Sequence, residues 1–275
     1  MEKQNRRLPE CACNSHLHII DPRFKNDGKA DQQKGTLEEY RGLAKEMGLS
    51  RAVFVQAKPF GTDHACLLNA IEQFGRDNSR GIAVVTDRVT DQELRFLHEN
   101  GIRGLRFSVW NPANAVVAFE MCQPLSERTK EMGWNMQLHM SAAQLLEHRT
   151  EIEKLTCKIV IDHMGRLNPT LGTEDPAFRF ICKLIDQGHT WVKLSGPYLN
   201  TAAGFPWRDA DKVANAFAAY APERMLWGSD YPHVTEKIKP DEWERLDPVN
   251  RWFPTEKARI QALVQNPEEV YGFDS

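Results

Sequence analysis

Several familiar signals are missing from this sequence. No apolar run approaches the ~20 residues a membrane span needs. Residues 1–16 (MEKQNRRLPECACNSH) are polar and contain no apolar h-region, so Arg6-Arg7 does not read as a twin-arginine export signal. The six cysteines (Cys11, Cys13, Cys66, Cys122, Cys157, Cys182) form no CxxC pair. A chain of 275 residues can bury a core without disulfide staples, so they read as reduced thiols in a cytoplasmic protein. GxGxxG, P-loop and GxSxG motifs are all absent. Their absence removes the Gly-rich phosphate turns of dinucleotide and nucleotide folds and the serine elbow of α/β-hydrolases. Neither sign of charge dominates: 35 Lys and Arg face 38 Asp and Glu, for a net charge of −3. That balance gives no electrostatic reason to bind nucleic acid or an anionic membrane. There is no internal repeat, low-complexity tract or long linker.

What is present is alternation. Hydrophobic residues make up 41% and charged residues 27%, values of an ordinary globular chain. Short β-type runs occur at Cys11–Ile20, Arg51–Ala57, Gly81–Thr86, Ile102–Ser108, Asn135–Met140, Lys158–Asp162, Thr190–Ser195 and Arg224–Gly228. Helix-like segments interleave with them, among them Thr36–Met47, Asp63–Phe74, Thr90–Asn100 and Asp209–Tyr220. Thr90 with Glu93 three residues later makes a capping-box pattern. Period-2 runs alternating with period-3.6 segments are the βαβ signature of a parallel sheet. Eight such units predict an α/β fold, a somewhat distorted (β/α)8 TIM barrel. They use nearly the whole chain, so residues 1–275 read as one barrel domain with no room for a separate cofactor domain. An open doubly wound sheet is the alternative.

In such a barrel the active site lies at the C-terminal ends of the strands. His16 and His18, two apart on the first strand, share a face. His139 ends the fifth strand, His163 follows the sixth and Asp230 follows the eighth. Any one of these has a bland explanation, as a buried structural histidine or as an aspartate cap. Burying paired imidazoles needs partners, and the whole set converges on one barrel mouth. Such a cluster can hold zinc, or it can polarise a carbonyl and activate water without metal. His64, His98, His148 and His189 read as solvated, and His233 as a supporting neighbour of Asp230.

With these residues in place, the sequence resembles the amidohydrolase superfamily and, within it, the amidohydrolase-2 group. The segments CNSHLHIIDPRF, VFVQAKPFGTDHACLLNAI, GIRGLRFSVWN, GWNMQLHM, VIDHMGR, WVKLSGPY and ERMLWGSDYPH carry the resemblance nearly end to end. It is similar to sugar-lactone and 2-pyrone-4,6-dicarboxylate lactonases and related lactone isomerases. The resemblance implies a distorted (β/α)8 barrel in which His16, His18, His139, His163 and Asp230 match the family's histidine and aspartate positions. Arg106 matches an arginine that contacts a substrate carboxylate. Asn14 stands where the family often has aspartate, and the strand-four lysine or glutamate that bridges two metals is absent, which argues against a binuclear centre. Two further arginines of the pyrone-dicarboxylate enzymes are replaced by Asn111-Pro112 and Tyr198-Leu199. Bidentate arginine is the natural carboxylate clamp, so a lactone with at most one carboxylate is expected.

The expected function is hydrolysis of a small hydroxylated or carboxylated lactone. Asp230 acts as general base and then acid, while His16, His18 and His163 stabilise the oxyanion. Arg106 pairs with a substrate carboxylate, and Gln56, His139, Ser195 and Tyr198 read hydroxyls. No cofactor is expected. The alternatives are a lactone isomerase and a hydrolase or decarboxylase with one Zn²⁺ on His16, His18, Asp230 and His139 or His163. A non-catalytic sugar-acid-binding barrel would have no use for a base placed beside imidazoles. The expected partner is the small lactone alone; nothing in the sequence bears on oligomeric state. Gly165–Asp175 and Asn200–Arg208 are candidate lid or wall segments, with Phe205 and Trp207 either covering the site or packing their loop. Glu236–Phe253 is expected across the barrel's flank.

Overall fold

The computed structural model describes residues 8–274, so Arg6-Arg7 lies outside the described residues. Each of the eight runs forms a strand, and each strand pairs in parallel with the next. They are β1 (Cys13–Leu17), β2 (Arg51–Val55), β3 (Ser79–Ala83), β4 (Ile102–Ser108), β5 (Asn135–His139), β6 (Lys158–Ile161), β7 (Thr190–Ser195) and β8 (Met225–Gly228). The sheet closes just beyond β8. A parallel bridge joins Leu17 to Tyr231, the Asp230 N–H donates to His16 O at 2.9 Å, and the His18 N–H donates to Tyr231 O at 2.7 Å. This is a (β/α)8 barrel.

Helices α1 (Leu37–Met47), α2 (Ala65–Phe74) and α3 (Asp91–Glu99) cover the first three strands. They are followed by α4 (Cys122–Thr129), α5 (Ala142–Glu147), α6 (Arg149–Ile152), α7 (Pro176–Asp186) and α8 (Arg208–Tyr220). The chain ends in α9 (Glu242–Trp252), α10 (Glu256–Ile260) and α11 (Asn266–Tyr271). Thr36 and Thr90 are N-caps with complete capping boxes to Glu39 and Glu93, which is why these two helices start where the pattern places them. Among the described residues no helix is long and apolar enough to cross a membrane.

Strand ends differ from the sequence pattern where tertiary contacts decide them. β3 starts at Ser79, and the next residue, Arg80, is buried at the barrel base. Its guanidinium donates to Tyr271 O and Gly272 O. β1 is shorter than its apolar run because the chain leaves the sheet after Leu17 to pair Ile20 with Gly35. The four histidines expected in solvent are instead half-buried. His64 and His189 bond the carbonyls of Val84 and Leu155, Trp134 donates to His98, and His148 packs on Phe119. α9 lies against α8, where Arg251 and Trp252 both donate to Asp211.

The barrel interior is layered. Cys13, Val53, Val160, Trp191 and Leu226 form an apolar base, plugged from below by Tyr271 and Phe273 of the C-terminal segment. Alternation carries polar residues above it: Arg106 on β4, Gln137 on β5, Asp162 after β6 and Lys193 on β7. β1 joins this layer through a bulge between Asn14 and Leu17. Cys13 packs inside with Trp191, whereas Leu17 pairs with Phe54 on the helix side; the extra residue turns His16 inward.

Candidate active site

The upper layer opens into a cavity of about 310 Å³ at the C-terminal ends of the strands. His18, Gln56, Arg106, His139, His163 and Asp230 line it, together with Ser108, Trp110 and Arg166. Asp230 is the centre of the arrangement. Its Oδ1 lies 3.5 Å from His16 Nε2 and 3.6 Å from His18 Nε2, and the Tyr198 hydroxyl donates to Oδ2. Burial alone would raise the Asp230 carboxyl. The imidazoles of His163, His18 and His16 outweigh that cost and hold it well below the usual carboxylate range. The group is therefore an anion at every working pH.

The imidazoles are each held from behind. His18 Nδ1 is 2.9 Å from Val55 O, a pure acceptor, so Nδ1 carries the proton. Ser195 Oγ lies 2.9 Å from His163 Nδ1, and Ser108 Oγ lies 2.8 Å from His139 Nδ1. Burial depresses His163 to about 4 and pushes His139 well below its ordinary value, with Arg106 adding to both shifts. Both rings are neutral near pH 7.

Beneath them lies a layer of buried charge. Lys193 Nζ is 2.9 Å from His16 Nδ1, 2.8 Å from Gln137 Oε1 and 3.3 Å from Asp162 Oδ1. Arg106 donates from Nε to Asp162 Oδ2 at 2.9 Å. Burial would raise the Asp162 carboxyl, but Lys193, His16 and Arg106 together keep it far below its ordinary value. His16 is lowered by burial first and by the Lys193 ammonium second, so its ring is neutral.

The backbone is bent to make this possible. His163, Met164, Gly165 and Arg166 have φ of 51°, 55°, 68° and 46°, and Asp230 has 61°. A run of left-handed residues is strained for side chains other than glycine, and such strain collects at functional sites. Here it brings Asp162 to the floor, His163 to the wall and Arg166 to the rim, where Arg166 stacks on Trp110 at 3.9 Å.

The sequence-expected residues divide by depth. His18, His139, His163, Asp230, Arg106 and Gln56 line the cavity, whereas His16, Ser195 and Tyr198 are not among its lining residues. His16 sits one layer below His18 and is fully buried. Ser195 is buried behind His163, and Tyr198 holds Asp230, so the structure places neither hydroxyl to read a substrate. Gln56 donates to Gly61 O and Asp63 O, which leaves only Oε1 for a ligand. Of the two loop aromatics, Trp207 is buried in the core, Phe205 packs edge-on against it, and neither lines the cavity. His233 is buried, and its N–H donates to Asp230 O. Sequence reasoning missed Asp162, Lys193, Ser108 and Arg166. The available signals were Lys193 two residues before Ser195, on the same strand face, and Asp162 and Arg166 flanking His163.

Comparison with known proteins fits this geometry. The model of the amidohydrolase family matches residues 13–273. The chain belongs to the amidohydrolase family. Among amidohydrolases it is 29% identical over 276 residues to a 4-sulfomuconolactone hydrolase of Rhizobium radiobacter, covering 96% of this chain and 91% of the relative. It is 27% identical over 274 residues to a D-galactarolactone isomerase of Agrobacterium fabrum, covering 97% and 93%. It superimposes on the solved structure of a probable 2-pyrone-4,6-dicarboxylic acid hydrolase from Acinetobacter baumannii with citric acid bound. That match has a TM-score of 0.84 and 25% identity, and covers 96% of this chain and 100% of the other.

Members of a family with this donor chemistry invite a metal test. Two sets of described residues bring three ligand atoms within 4.8 Å of one another: His16, His18 and Asp230, and His16, Asp162 and His163. The 3.5 and 3.6 Å separations in the first set are near the edge of ~3.3 Å expected for a tetrahedron of ~2.0 Å zinc bonds. The spacing suits a cation; the hydrogen bonding does not. A ligating histidine gives its other N–H to an acceptor, whereas His16 Nδ1 faces the donor Lys193. In the second set the Lys193 ammonium already stands against both His16 Nδ1 and Asp162 Oδ1.

Proposed function

We propose that this amidohydrolase opens small hydroxylated or carboxylated lactones by hydrolysis and does so without a metal. The observation that carries the reading is Asp230. It is a carboxylate oriented by Tyr198 and flanked by imidazoles, and it faces a cavity that also presents the Arg106 guanidinium. The naming of relatives along nearly the whole chain as a lactone hydrolase and a lactone isomerase supports it.

The chemistry follows from protonation states. The hydrogen bond from His18 Nδ1 to Val55 O fixes the ring with Nε2 directed at Asp230 Oδ1. The attacking water is placed to donate to Asp230 beside His18. Asp230 takes one proton as the water oxygen bonds to the lactone carbonyl carbon. His163 is neutral; with the Ser195 hydroxyl donating to Nδ1, the ring carries its proton on Nε2 and donates it as a hydrogen bond to the carbonyl oxygen as negative charge develops. Collapse breaks the bond between acyl carbon and ring oxygen. Asp230 returns its proton to that oxygen and a hydroxy acid leaves. His16, a layer below, directs its Nε2 at Asp230 and acts through it. Arg106 meets a substrate carboxylate, and His139 with Gln56 Oε1 addresses hydroxyls. Six free thiols, five of them buried, support a reducing, cytoplasmic setting.

The test is a panel of aldonolactones, aldarolactones and muconolactones followed by pH indicator and NMR, with chelator and with added zinc. We expect acid release from at least one lactone, unchanged by chelator. Asp230→Asn should lower kcat roughly 10²–10⁴-fold. An isomer formed without acid would make the protein a lactone isomerase, and turnover seen only with zinc would restore the metal. Unchanged kcat in Asp230→Asn would remove the base.

A further inference from the structure

The hydrolysis scheme leaves one wholly buried cation without a task. Lys193 has no solvent exposure, yet it is ringed by three acceptors: His16 Nδ1, Gln137 Oε1 and Asp162 Oδ1. An ammonium has three donors and no acceptor; two of its protons go to His16 Nδ1 and Gln137 Oε1, and its charge is paired with Asp162 Oδ1.

We infer that Lys193 is a positioning residue: by donating to His16 Nδ1 it fixes the imidazole as the Nε2–H tautomer, which aims a proton at Asp230 and closes His16 as a metal ligand. The inference deepens the lactone-hydrolase reading and rests on it only for the purpose of orienting Asp230.

Two neighbours compete for His16 Nδ1. Lys193 Nζ, a donor, is at 2.9 Å; Asp162 Oδ1, an acceptor, is at 3.4 Å. While the ammonium is there, Nδ1 must present its lone pair and the ring proton sits on Nε2. Without it, the Asp162 carboxylate claims an Nδ1–H and the Nε2 lone pair turns to Asp230 Oδ1, 3.5 Å away. Two acceptors facing each other at that distance call for a cation between them, and His18 Nε2 already faces the same oxygen. The same ring therefore serves a carboxylate base in one tautomer and a metal in the other, and the lysine selects the first. His16 can play this part because the bulge in β1 turns it down into the charged layer.

The test is nitrogen-15 NMR of the full-length protein labelled at histidine, with His16 assigned by its loss in His16→Gln. The expected result is Nε2–H at His16 in the parent protein and in Asp162→Asn. In Lys193→Met, which keeps the aliphatic stem, the ring should switch to Nδ1–H. Zinc affinity, titrated against a chelating indicator, should then rise about tenfold or more in Lys193→Met. An Nδ1–H tautomer in the parent protein overturns the inference even if Lys193→Met does not fold. So does Nε2–H persisting in a folded Lys193→Met. Unchanged zinc affinity in that variant overturns the link to metal exclusion. None of these readouts involves turnover, so failure on every lactone would sink the function while leaving the tautomer result standing.

Discussion

Arg106 Nε lies 2.9 Å from Asp162 Oδ2, so this guanidinium reaches the cavity with one edge already bound. The rest of the fork is available to one substrate carboxylate, and a hydrogen bond between charged groups contributes about 1.5–3 kcal/mol. For Arg106→Met we expect kcat/KM on a carboxylated lactone to fall roughly 10- to 150-fold relative to an uncharged lactone of the same ring size. Steady-state kinetics on the pair decides it. Equal losses on both would mean that Arg106 only holds Asp162.

Stability should fall with acidification in a window set by the histidines. His163 drops from an ordinary 6.5 to about 4 on folding, and burial lowers His16 and His139 in the same direction. Between those values the unfolded chain binds protons that the folded one refuses. Their contribution is fully present above pH 6.5 and is lost as pH falls towards about 4. Asp162 and Asp230 add a loss of the same sign only below their ordinary 3.8. Thermal melting across that range should show Tm dropping steadily, and less steeply in His163→Gln. A flat Tm would contradict the buried neutral rings.

Trp110 and Arg166 make the rim. Their stacking at 3.9 Å is a cation–π contact of about 0.5–2 kcal/mol, and it holds a guanidinium over the cavity. Trp110→Ala should raise KM for an anionic lactone by roughly 2- to 30-fold with little change in kcat, and Trp110→Phe should recover part of it. A change in kcat alone would place the ring in the chemistry instead.

Gly228 is where the barrel closes against the site. A Cβ there would stand 2.4 Å from His16 Cβ and 2.7 Å from His16 N, and the latter is backbone that cannot swing away. Gly228→Ala should cost about 1–3 kcal/mol of stability, and activity should fall more than stability because His16 is displaced. Denaturant melts beside kinetics check it; wild-type values in both would show that β1 and β8 can part without harm.

Strand number and order were readable because β-branched runs and helix caps are local signals. The mouth residues were readable because histidines in apolar strands are conspicuous. What could not be read depends on neighbours far away in the chain. Lys193, in WVKLS, looks like any outward lysine until its acceptors on β1, β5 and after β6 are known. Arg80 looks like a loop residue until the C-terminal carbonyls arrive beneath it. The inward turn of His16 and His18 depends on a bulge between Asn14 and Leu17 that the sequence does not mark. His64 and His189 look solvated until carbonyls from other units accept from them.

The left-handed turn after β6 has a consequence for how such an enzyme can change. Five consecutive residues, 162–166, supply a floor anion, a wall imidazole and a rim cation. Insertion or deletion of a single residue there would displace all three together, so this segment cannot drift towards a new substrate in small steps. The walls are different: Gln56 on one crossover and Trp110, Asn111, Asn114, Val116 and Val117 on another touch the cavity independently. The floor anion, the wall imidazole and the rim cation are inherited as one block, while selectivity is divided among loops that can be exchanged one at a time.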